Sequence, residues 1–134
     1  MAFYSGGFIY NPKTNSVLLH LRDEKTENNP SALAFFGGLS KKNETPQKTF
    51  MRELSEELDL KVDENAVITL CDYFNPDFNT HRYVFYLKIE ELPRINLKEG
   101  KDVSWFNLDR VLVQNLSKRT RQDLIYFLQE KPSY

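Results

Sequence analysis

An acidic run near the middle of the chain has the spacing of side chains that act together. Glu53, Glu56 and Glu57 stand at positions i, i+3 and i+4, so a helix through them would present three carboxylates on one face. Three like charges repel one another, and the compensating partner could be bulk water, Arg52 one turn before Glu56, or bound divalent cations. On spacing alone, a solvated helix face is the usual outcome.

Residues on either side of this run extend the pattern. Five residues separate Gly38 from Glu44, and seven separate Glu44 from Arg52. The stretch resembles the Nudix box, which reads Gly, five residues, Glu, seven residues, Arg-Glu, aliphatic, any residue, Glu-Glu, any residue, Gly, aliphatic. The resemblance outweighs the solvated-face interpretation and implies a Nudix hydrolase, an enzyme that cleaves the pyrophosphate link of nucleoside diphosphate derivatives. The matching positions are Gly38, Glu44, Arg52, Glu53, Leu54, Glu56, Glu57 and Leu60.

Two positions depart from the pattern. Asp59 stands where the box has its second glycine, just past the expected helix end, where the backbone commonly turns left-handed. Asp tolerates that conformation better than most residues, so we expect a modest loss of stability without loss of activity. Phe36 replaces the proline that many relatives carry before the paired glycines, which leaves this loop less rigid.

The resemblance implies a site for Mg²⁺ or Mn²⁺, since both cations prefer carboxylate and carbonyl oxygens and bridge to substrate phosphates. Such a site polarises the phosphoryl oxygens and lowers the pKa of a bound water that attacks phosphorus. The expected ligands are Glu53, Glu56, Glu57 and the backbone carbonyl of Gly38.

The same resemblance implies a catalytic set of Glu53, Arg52, Glu56 and Glu44. Arg52 should orient a catalytic glutamate through charge-assisted hydrogen bonds, a task suited to the rigid guanidinium fork. Glu44 is expected to support that arginine. Glu53 is our preferred general base, although the base differs among family members.

Outside the box, further residues resemble functional positions of mutator-type Nudix enzymes. Glu99, in the run Lys98-Glu99-Gly100, matches a loop glutamate that completes the metal site, and a solvated surface glutamate is the alternative. Arg22 is expected near the phosphates or the base, and Asn115 near a base-reading amide. Phe35 is our candidate for stacking on the base, although the chain's aromatic residues are more often core than pocket.

The elements that must position these residues alternate between strand and helix patterns. Strands are predicted at residues 3–10, 17–21, 33–36, 67–74, 82–89 and 104–106, with Gly37-Gly38 ending the third. Thr45 followed by Pro46 predicts the start of a helix that runs to about Leu58. A last helix at about residues 117–130 places Leu124, Ile125 and Leu128 at helical spacing, with Ser117 as its cap.

This order of elements predicts an α+β fold with a mixed β-sheet sandwiched between helices, which is the Nudix fold by resemblance. In the second strand, Val17 and Leu19 should share one face of the sheet, and Leu18 and His20 the other.

Composition narrows the class of protein. A chain of 134 residues, of which 40% are hydrophobic, suits a single domain over residues 1–134. The net charge of -1 argues against a protein that binds nucleic-acid backbone, and leaves a small nucleotide as the expected partner. The lone Cys71 is expected to be a small buried hydrophobe. No apolar run is long enough to cross a membrane and no signal peptide is recognisable, so we expect a cytoplasmic protein.

Three functions stay open at this point. The short length and the Glu99 loop favour an enzyme that hydrolyses ordinary or oxidised nucleoside triphosphates. Pro76, sixteen residues beyond Leu60, is a weak mark of ADP-ribose pyrophosphatases, because prolines are common in turns. From another class, the domain could sense nucleotides with little turnover, which the intact Arg52 and Glu53 disfavour. The sequence leaves the oligomeric state open.

Overall fold

Strands and helices alternate along the chain much as its hydrophobic pattern predicts. The computed structural model describes residues 2–21, 32–90 and 103–130. Two short 3₁₀ turns at Glu64–Ala66 and Val111–Val113 were not predicted. The other elements of these ranges are β1 (Tyr4–Asn11), β2 (Ser16–Leu21), β3 (Leu33–Ala34), β4 (Phe36–Leu39), α1 (Pro46–Leu58), β5 (Ile68–Asn75), β6 (Thr80–Lys88), β7 (Val103–Asn107) and α2 (Lys118–Glu130).

The strands form one mixed sheet with β1 near its centre. One edge of β1 pairs parallel with β6, and β6 continues antiparallel to β5. The other edge is shared, since the first half of β1 pairs antiparallel with β4 and the second half with β2. Strands β3 and β7 both pair with β2. The predicted mixed sheet is confirmed.

Both faces of this sheet are buried, each under one helix. Successive residues of a strand point to opposite faces, so Val17 and Leu19 join the core beneath α2 while Leu18 joins the core beneath α1. Phe127 of α2 and Phe50 of α1 fill the two cores, and both side chains are fully buried. The predicted sandwich of a sheet between helices is therefore confirmed.

Helix α1 begins and ends where the sequence predicts. Thr45 has extended backbone angles, and its Oγ1 accepts a hydrogen bond of 3.2 Å from the backbone N–H of Lys48. Pro46 follows at the first helical position, where no N–H donor is needed. Asp59 has φ 54° and ψ 34°, the left-handed conformation expected for the missing glycine, and its N–H bonds the carbonyl of Ser55 at 3.0 Å.

The paired glycines continue a strand rather than ending one, so this prediction was wrong. The strand pairing breaks at Phe35 and resumes as β4, in which Gly37 pairs with Gly6 of β1. A β-carbon on Gly37 would lie 2.6 Å from the Gly6 Cα and from the Ser5 carbonyl oxygen. The close pairing of β1 and β4 therefore requires glycine at this point.

Helix α2 packs on the sheet through a stripe that differs by one residue from the prediction. Leu124 and Phe127 are buried, whereas Ile125 is 39% exposed, because it lies off the buried face of the helix. Ser117 precedes the helix, and its carbonyl accepts the first helical bond, from Arg121, at 3.0 Å. Within the described ranges, neither α1 nor α2 is long and apolar enough to span a membrane.

The left-handed conformation of Asp59 generates a prediction about stability. Replacing Asp59 by Gly removes the steric strain of the β-carbon and should raise the free energy of unfolding by about 0.5 to 1 kcal/mol. Urea unfolding followed by circular dichroism measures this, with Asp59→Ala as the control that should lower it. An Asp59→Ala chain as stable as Asp59→Gly would contradict the assignment.

Candidate active site

Helix α1 carries the three glutamates of the acidic run at one end of the sheet. The Glu53 side chain is 14% exposed and that of Glu56 is 44% exposed, so Glu53 turns toward the sheet and Glu56 toward solvent. Glu57 is buried. The buried residues Leu54 and Leu58 hold the neighbouring side of the helix in the core beneath α1. The helix thus presents three carboxylates at one end of the sheet, of which Glu56 is exposed and Glu53 and Glu57 are largely buried.

Arg52 contacts two of these carboxylates, those of Glu53 and Glu56, and also the carboxylate of Glu44. Its Nη1 donates hydrogen bonds of 3.2 Å to Oε1 of Glu53 and to both carboxylate oxygens of Glu56. Its Nε donates to Glu44 Oε2 at 2.7 Å, and Nη2 donates to Glu44 Oε1 at 3.0 Å. Nη2 also reaches the carbonyl oxygen of Leu39 at 2.9 Å. One guanidinium therefore bridges three carboxylates and the end of β4.

Glu44 is itself held in place from two sides. Its Oε1 accepts hydrogen bonds from the Lys41 backbone N–H at 2.7 Å and from the Thr49 hydroxyl at 3.0 Å. The hydrogen bonds from Arg52, more than the bonds from Lys41 and Thr49, lower the pKa of Glu44 to about 2. Glu44 is therefore ionised at neutral pH and holds Arg52 through a bidentate ion pair.

Gly38 leaves space for the carboxylate of Glu53. A β-carbon at this position would collide with Glu53 Oε1 and lie 2.9 Å from its Cδ. The carboxylate can therefore lie against the backbone of β4, in contact with the end of the strand that also accepts the bond from Arg52 at Leu39. The sequence predicted Gly38 and Glu53 as members of one site, and the structure brings them together.

Two of the carboxylates expected to bind a cation face a positive side chain in this structure. Among the described residues, no group of three or more His, Cys, Asp or Glu side chains is placed to hold a metal ion. Two of the three expected carboxylate ligands, Glu53 and Glu56, instead converge on Arg52. Among the described residues, Arg52 is the cation that bonds both of these carboxylates.

A second charged cluster lies on the α2 face of the sheet, and sequence reasoning missed it. Arg82 of β6 donates from Nε to Oδ2 of Asp123 at 2.9 Å, and the two residues are 8% and 1% exposed. Tyr73 of β5 donates its hydroxyl to Asp123 Oδ1 at 2.6 Å. The guanidinium of Arg82 lies 4.4 Å from the ring centre of Tyr4, a cation–π contact.

Tyr4 lies between the two charged clusters. Burial raises the pKa of its hydroxyl, Arg82 opposes this shift, and the charges of Glu57, Asp123 and Glu53 add to it. A β-carbon on either Gly6 or Gly37 would collide with the Tyr4 hydroxyl, which shows that this group packs directly on glycine backbone. The acidic side of α1 and the Arg82 cluster are therefore close enough to interact through Tyr4.

The sequence profile of the NUDIX domain matches residues 4–129, which is nearly the whole chain. That match includes every residue of the box described above. The chain belongs to the Nudix family. Nudix hydrolases cleave the pyrophosphate link of nucleoside diphosphate derivatives, and membership assigns this class of reaction to the chain.

Solved structures share the fold. A mutT/nudix family protein from Listeria innocua superposes with a TM-score of 0.74 at 18% identity, covering 96% of this chain and 92% of that one. A MutT NUDIX hydrolase from Burkholderia pseudomallei gives 0.70 at 22% identity, covering 91% and 95%. A bifunctional NMN adenylyltransferase/ADP ribose pyrophosphatase from Francisella tularensis gives 0.74 at 20% identity, covering 96% of this Nudix chain but 40% of its own.

Of the three residues proposed for substrate binding, the structure describes Phe35 and Asn115. Phe35 is 3% exposed and its ring packs against Phe8, so it lies in the core beneath α2 and offers no free face for stacking on a base. Asn115 is exposed three residues before α2, and its carbonyl accepts a 2.8 Å bond from the Leu33 N–H. Arg22 and Glu99 lie outside the described residues.

One sequence signal could have revealed the missed cluster of this Nudix domain. Asp123 occupies the buried face of α2 together with Thr120, Leu124 and Phe127, at helical spacings of three and four. A charged residue on an otherwise apolar helix face requires a buried partner. The sequence indicates no identity for that partner, because Arg82 lies 41 residues away.

The cysteine and the two histidines lie in surroundings that suit structural roles. Cys71 is partly buried against the core beneath α2, and burial raises the pKa of its thiol to about 12, so it is not a nucleophile at neutral pH. His20 is buried, with Nε2 2.8 Å from the carbonyl oxygen of Phe35. His81 lies at the surface beside Asp72 at 2.7 Å. The sequence analysis expected such a role for Cys71.

The contact between Gly38 and Glu53 predicts a loss of activity without a loss of stability. A β-carbon in Gly38→Ala meets only the flexible end of Glu53, so the side chain moves and turnover should fall about 10- to 100-fold. Melting temperature and pyrophosphohydrolase rate are measured together. Gly37→Ala is the matched control, since its β-carbon meets backbone and should lower the melting temperature instead. Equal stability losses in both variants would contradict this assignment.

The ion pair between Glu44 and Arg52 predicts a pH-dependent stability. Because folding lowers the pKa of Glu44 from 4.5 to about 2, its stabilising effect is complete above pH 4.5 and is lost as the pH falls toward 2. Glu44→Gln lacks this effect, so its deficit in unfolding free energy relative to wild type should shrink over that interval. Urea titrations of both proteins at several pH values measure it. A deficit that does not change with pH would contradict the ion pair.

Proposed function

We propose that this Nudix enzyme hydrolyses a nucleoside triphosphate, ordinary or oxidised, to the monophosphate and pyrophosphate with Mg²⁺ or Mn²⁺. The observation that carries the proposal is the arrangement around Arg52, in which the guanidinium aligns Glu53 and Glu56 while Glu44 anchors it. A helix face that was merely solvated would not need a partly buried bidentate partner for its arginine.

The donor set fits a hard divalent cation. Carboxylate oxygens and a strand carbonyl are the ligands that Mg²⁺ and Mn²⁺ prefer, and two carboxylates already face one positive group, Nη1 of Arg52. When bound, the cation would polarise the phosphoryl oxygens and lower the pKa of a water molecule. The residues proposed to hold it are Glu53, Glu56, Glu57 and the carbonyl of Gly38, with Glu99 from outside the described residues.

The protein's own groups then have separate tasks. Glu53 is the proposed general base, because Arg52 fixes its Oε1 through a hydrogen bond and Gly38 leaves it room at the strand. A fixed carboxylate can accept the proton of an attacking water at a constant position relative to the phosphorus. Glu44 acts through Arg52 and is a positioning residue.

A small nucleotide is the proposed substrate class. Proteins described as MutT or mutT/nudix superpose over more than nine-tenths of this chain and over more than nine-tenths of their own length. The organic part of the substrate would lie on the α2 side of the sheet, where the half-buried residues Tyr4 and Tyr73 lie beside Arg82. Arg22 and Asn115 remain proposed contacts.

Hydrolysis of ADP-ribose or a nucleotide sugar is the second candidate. Its support is the superposition on the Francisella tularensis protein, whose name includes ADP ribose pyrophosphatase. The other mark, Pro76, has a local explanation. It lies in the β5–β6 turn, where Asn75 Oδ1 accepts a 3.0 Å bond from the Asp77 N–H, and such turns commonly contain proline. The triphosphate therefore remains the preferred substrate.

A substrate panel tests the proposal directly. The purified chain is incubated with Mg²⁺ or Mn²⁺ and with dNTPs, oxidised dGTP, ADP-ribose and nucleotide sugars, and the products are separated and identified. We expect pyrophosphate and a monophosphate from a triphosphate at the highest kcat/KM. Highest activity on ADP-ribose would select the second candidate, and no turnover with any compound would select a nucleotide-sensing domain.

Charge removal at the acidic run tests the site. Glu53→Gln and Glu57→Gln should each lower kcat by about 10²- to 10³-fold or more with the fold retained, because a neutral amide is a poor ligand and a poor base. Rates and circular dichroism spectra are compared with Glu64→Gln, a matched change at an exposed residue of the first 3₁₀ turn. Near-normal rates for both site variants would reject the assignment.

A further inference from the structure

The chain passes from one strand partner to another at Phe35. Before this residue β3 pairs with β2, and after it β4 pairs with β1, so Phe35 belongs to neither strand. Phe35 is buried in the core beneath α2. Buried backbone N–H and carbonyl groups require hydrogen-bond partners, and here a strand ladder does not supply them.

Two buried side chains from distant parts of the chain bond this backbone. Nε2 of His20, on β2, lies 2.8 Å from the Phe35 carbonyl oxygen, and Nε2 is the donor because a carbonyl only accepts. The Phe35 N–H donates to Oγ1 of Thr120, on α2, at 3.4 Å. The hydroxyl of Ser117 donates to the same Oγ1 at 2.8 Å and helps to hold it in place. We call His20 and Thr120 the Phe35 clamp.

His20 also supports the first residue of β4. Its ring stacks on that of Phe36, with ring centroids 5.1 Å apart and an angle of 23° between the planes. Phe36 and Gly38 lie on the same face of the sheet, because they are two residues apart in one strand. Gly38 is the residue that leaves space for the carboxylate of Glu53. The imidazole of His20 therefore supports the strand just before the glycine of the proposed active site.

Strand β4 depends on support at its two ends. It is four residues long, and among the described strands it pairs with β1 alone. Two of its four residues are glycines, which have no side chain to pack. At the far end, the Leu39 carbonyl accepts a bond from Arg52, and the Ser40 N–H donates to the carbonyl of Phe3. The Phe35 clamp holds the beginning of the strand.

We infer that His20 and Thr120 are positioning residues of the proposed active site, because they fix the start of the strand that carries Gly38. This inference rests on the proposed function, in which the Gly38 carbonyl binds the cation and Glu53 lies against the same strand. A shift of β4 would move that carbonyl relative to Glu53, and a misplacement on the order of 1 Å slows a reaction strongly. The loss should fall on kcat more than on KM, since the clamp acts on alignment and not on substrate binding.

Two substitutions of His20 separate its hydrogen bond from its ring. His20→Phe keeps a ring beside Phe36 but has no donor, whereas His20→Gln keeps an N–H donor at similar reach but has no ring. With Mg²⁺ and the best substrate of the panel, His20→Phe should lower kcat about 10-fold and change KM by less than about threefold. His20→Gln should stay within about threefold of the wild-type kcat. His81→Phe, the same change at a surface histidine, is the matched control and should leave kcat unchanged.

Binding of Mn²⁺ to the full chain gives a second readout that does not depend on turnover. Electron paramagnetic resonance of the free ion measures it, at a temperature well below the melting transition of every variant. His20→Phe should bind Mn²⁺ roughly 3- to 10-fold more weakly than wild type, because a proposed ligand, the Gly38 carbonyl, is displaced. A purely structural role would lower the melting temperature and leave the Mn²⁺ affinity of the folded protein unchanged.

Thr120 provides a second pair of variants, which decides the matter if His20→Phe does not fold. Thr120→Val keeps the shape of the side chain but removes the acceptor oxygen, whereas Thr120→Ser keeps that oxygen. Thr120→Val should lower kcat about threefold, less than His20→Phe does, because the bond to Phe35 is long at 3.4 Å. Thr120→Ser should restore the wild-type kcat.

Different results separate the inference from the proposed function. If wild type turns over and binds Mn²⁺, and a folded His20→Phe chain matches it in kcat or in Mn²⁺ affinity, the inference is overturned and the proposed function stands. A loss of kcat in His20→Gln as large as that in His20→Phe also overturns the inference, since the donor would then have no effect. If His20→Phe does not fold, a wild-type kcat in Thr120→Val overturns it. If wild type neither turns over nor binds Mn²⁺, both claims fail.

Discussion

The arrangement of this Nudix domain depends on one arginine that compensates the negative charge of the carboxylates at one end of the sheet. Glu44, Glu53 and Glu56 all bond one guanidinium, and the ion pair to Glu44 is the shortest contact of the group. The elements around Arg52 hold it and Glu44 in position for this contact. Thr45 caps α1 directly after Glu44, so the position of the helix start and the position of the anchoring carboxylate are set together.

Glycine backbone is the second requirement, because it lets polar side chains approach the sheet from both faces. On the α1 face, Gly38 makes room for Glu53; on the α2 face, Gly6 and Gly37 make room for the hydroxyl of Tyr4. A side chain on any of these glycines would push the two clusters apart. Because the glycines have none, the charges of Glu53 and Glu57 on α1 and of Asp123 on α2 all raise the pKa of Tyr4.

Sequence rules predicted contacts between residues that are close along the chain and missed contacts between residues that are far apart in it. Local rules placed the cap at Thr45 and the left-handed residue at Asp59, because each involves neighbours along the chain. The grouping of Arg52 with Glu44, eight residues away, came from the resemblance to the Nudix box. The rule that paired glycines end a strand failed at Gly37, since its pairing with Gly6 is set by a strand 31 residues earlier in the sequence. The pair of Arg82 and Asp123 was missed for the same reason.

The balance of charge distinguishes the two ionic clusters of the molecule. Arg82 and Asp123 match one to one in the interior, and Tyr73 completes the bonding of the carboxylate, so that cluster needs no further charge to be stable. At the rim of the sheet, Arg52 faces three bonded carboxylates, and its exposed neighbour Lys41 adds little through water. The described part of the α1 cluster therefore carries more negative than positive charge, which a bound cation would balance. This balance favours the α1 cluster as the proposed reacting site and the α2 cluster as the scaffold beside it.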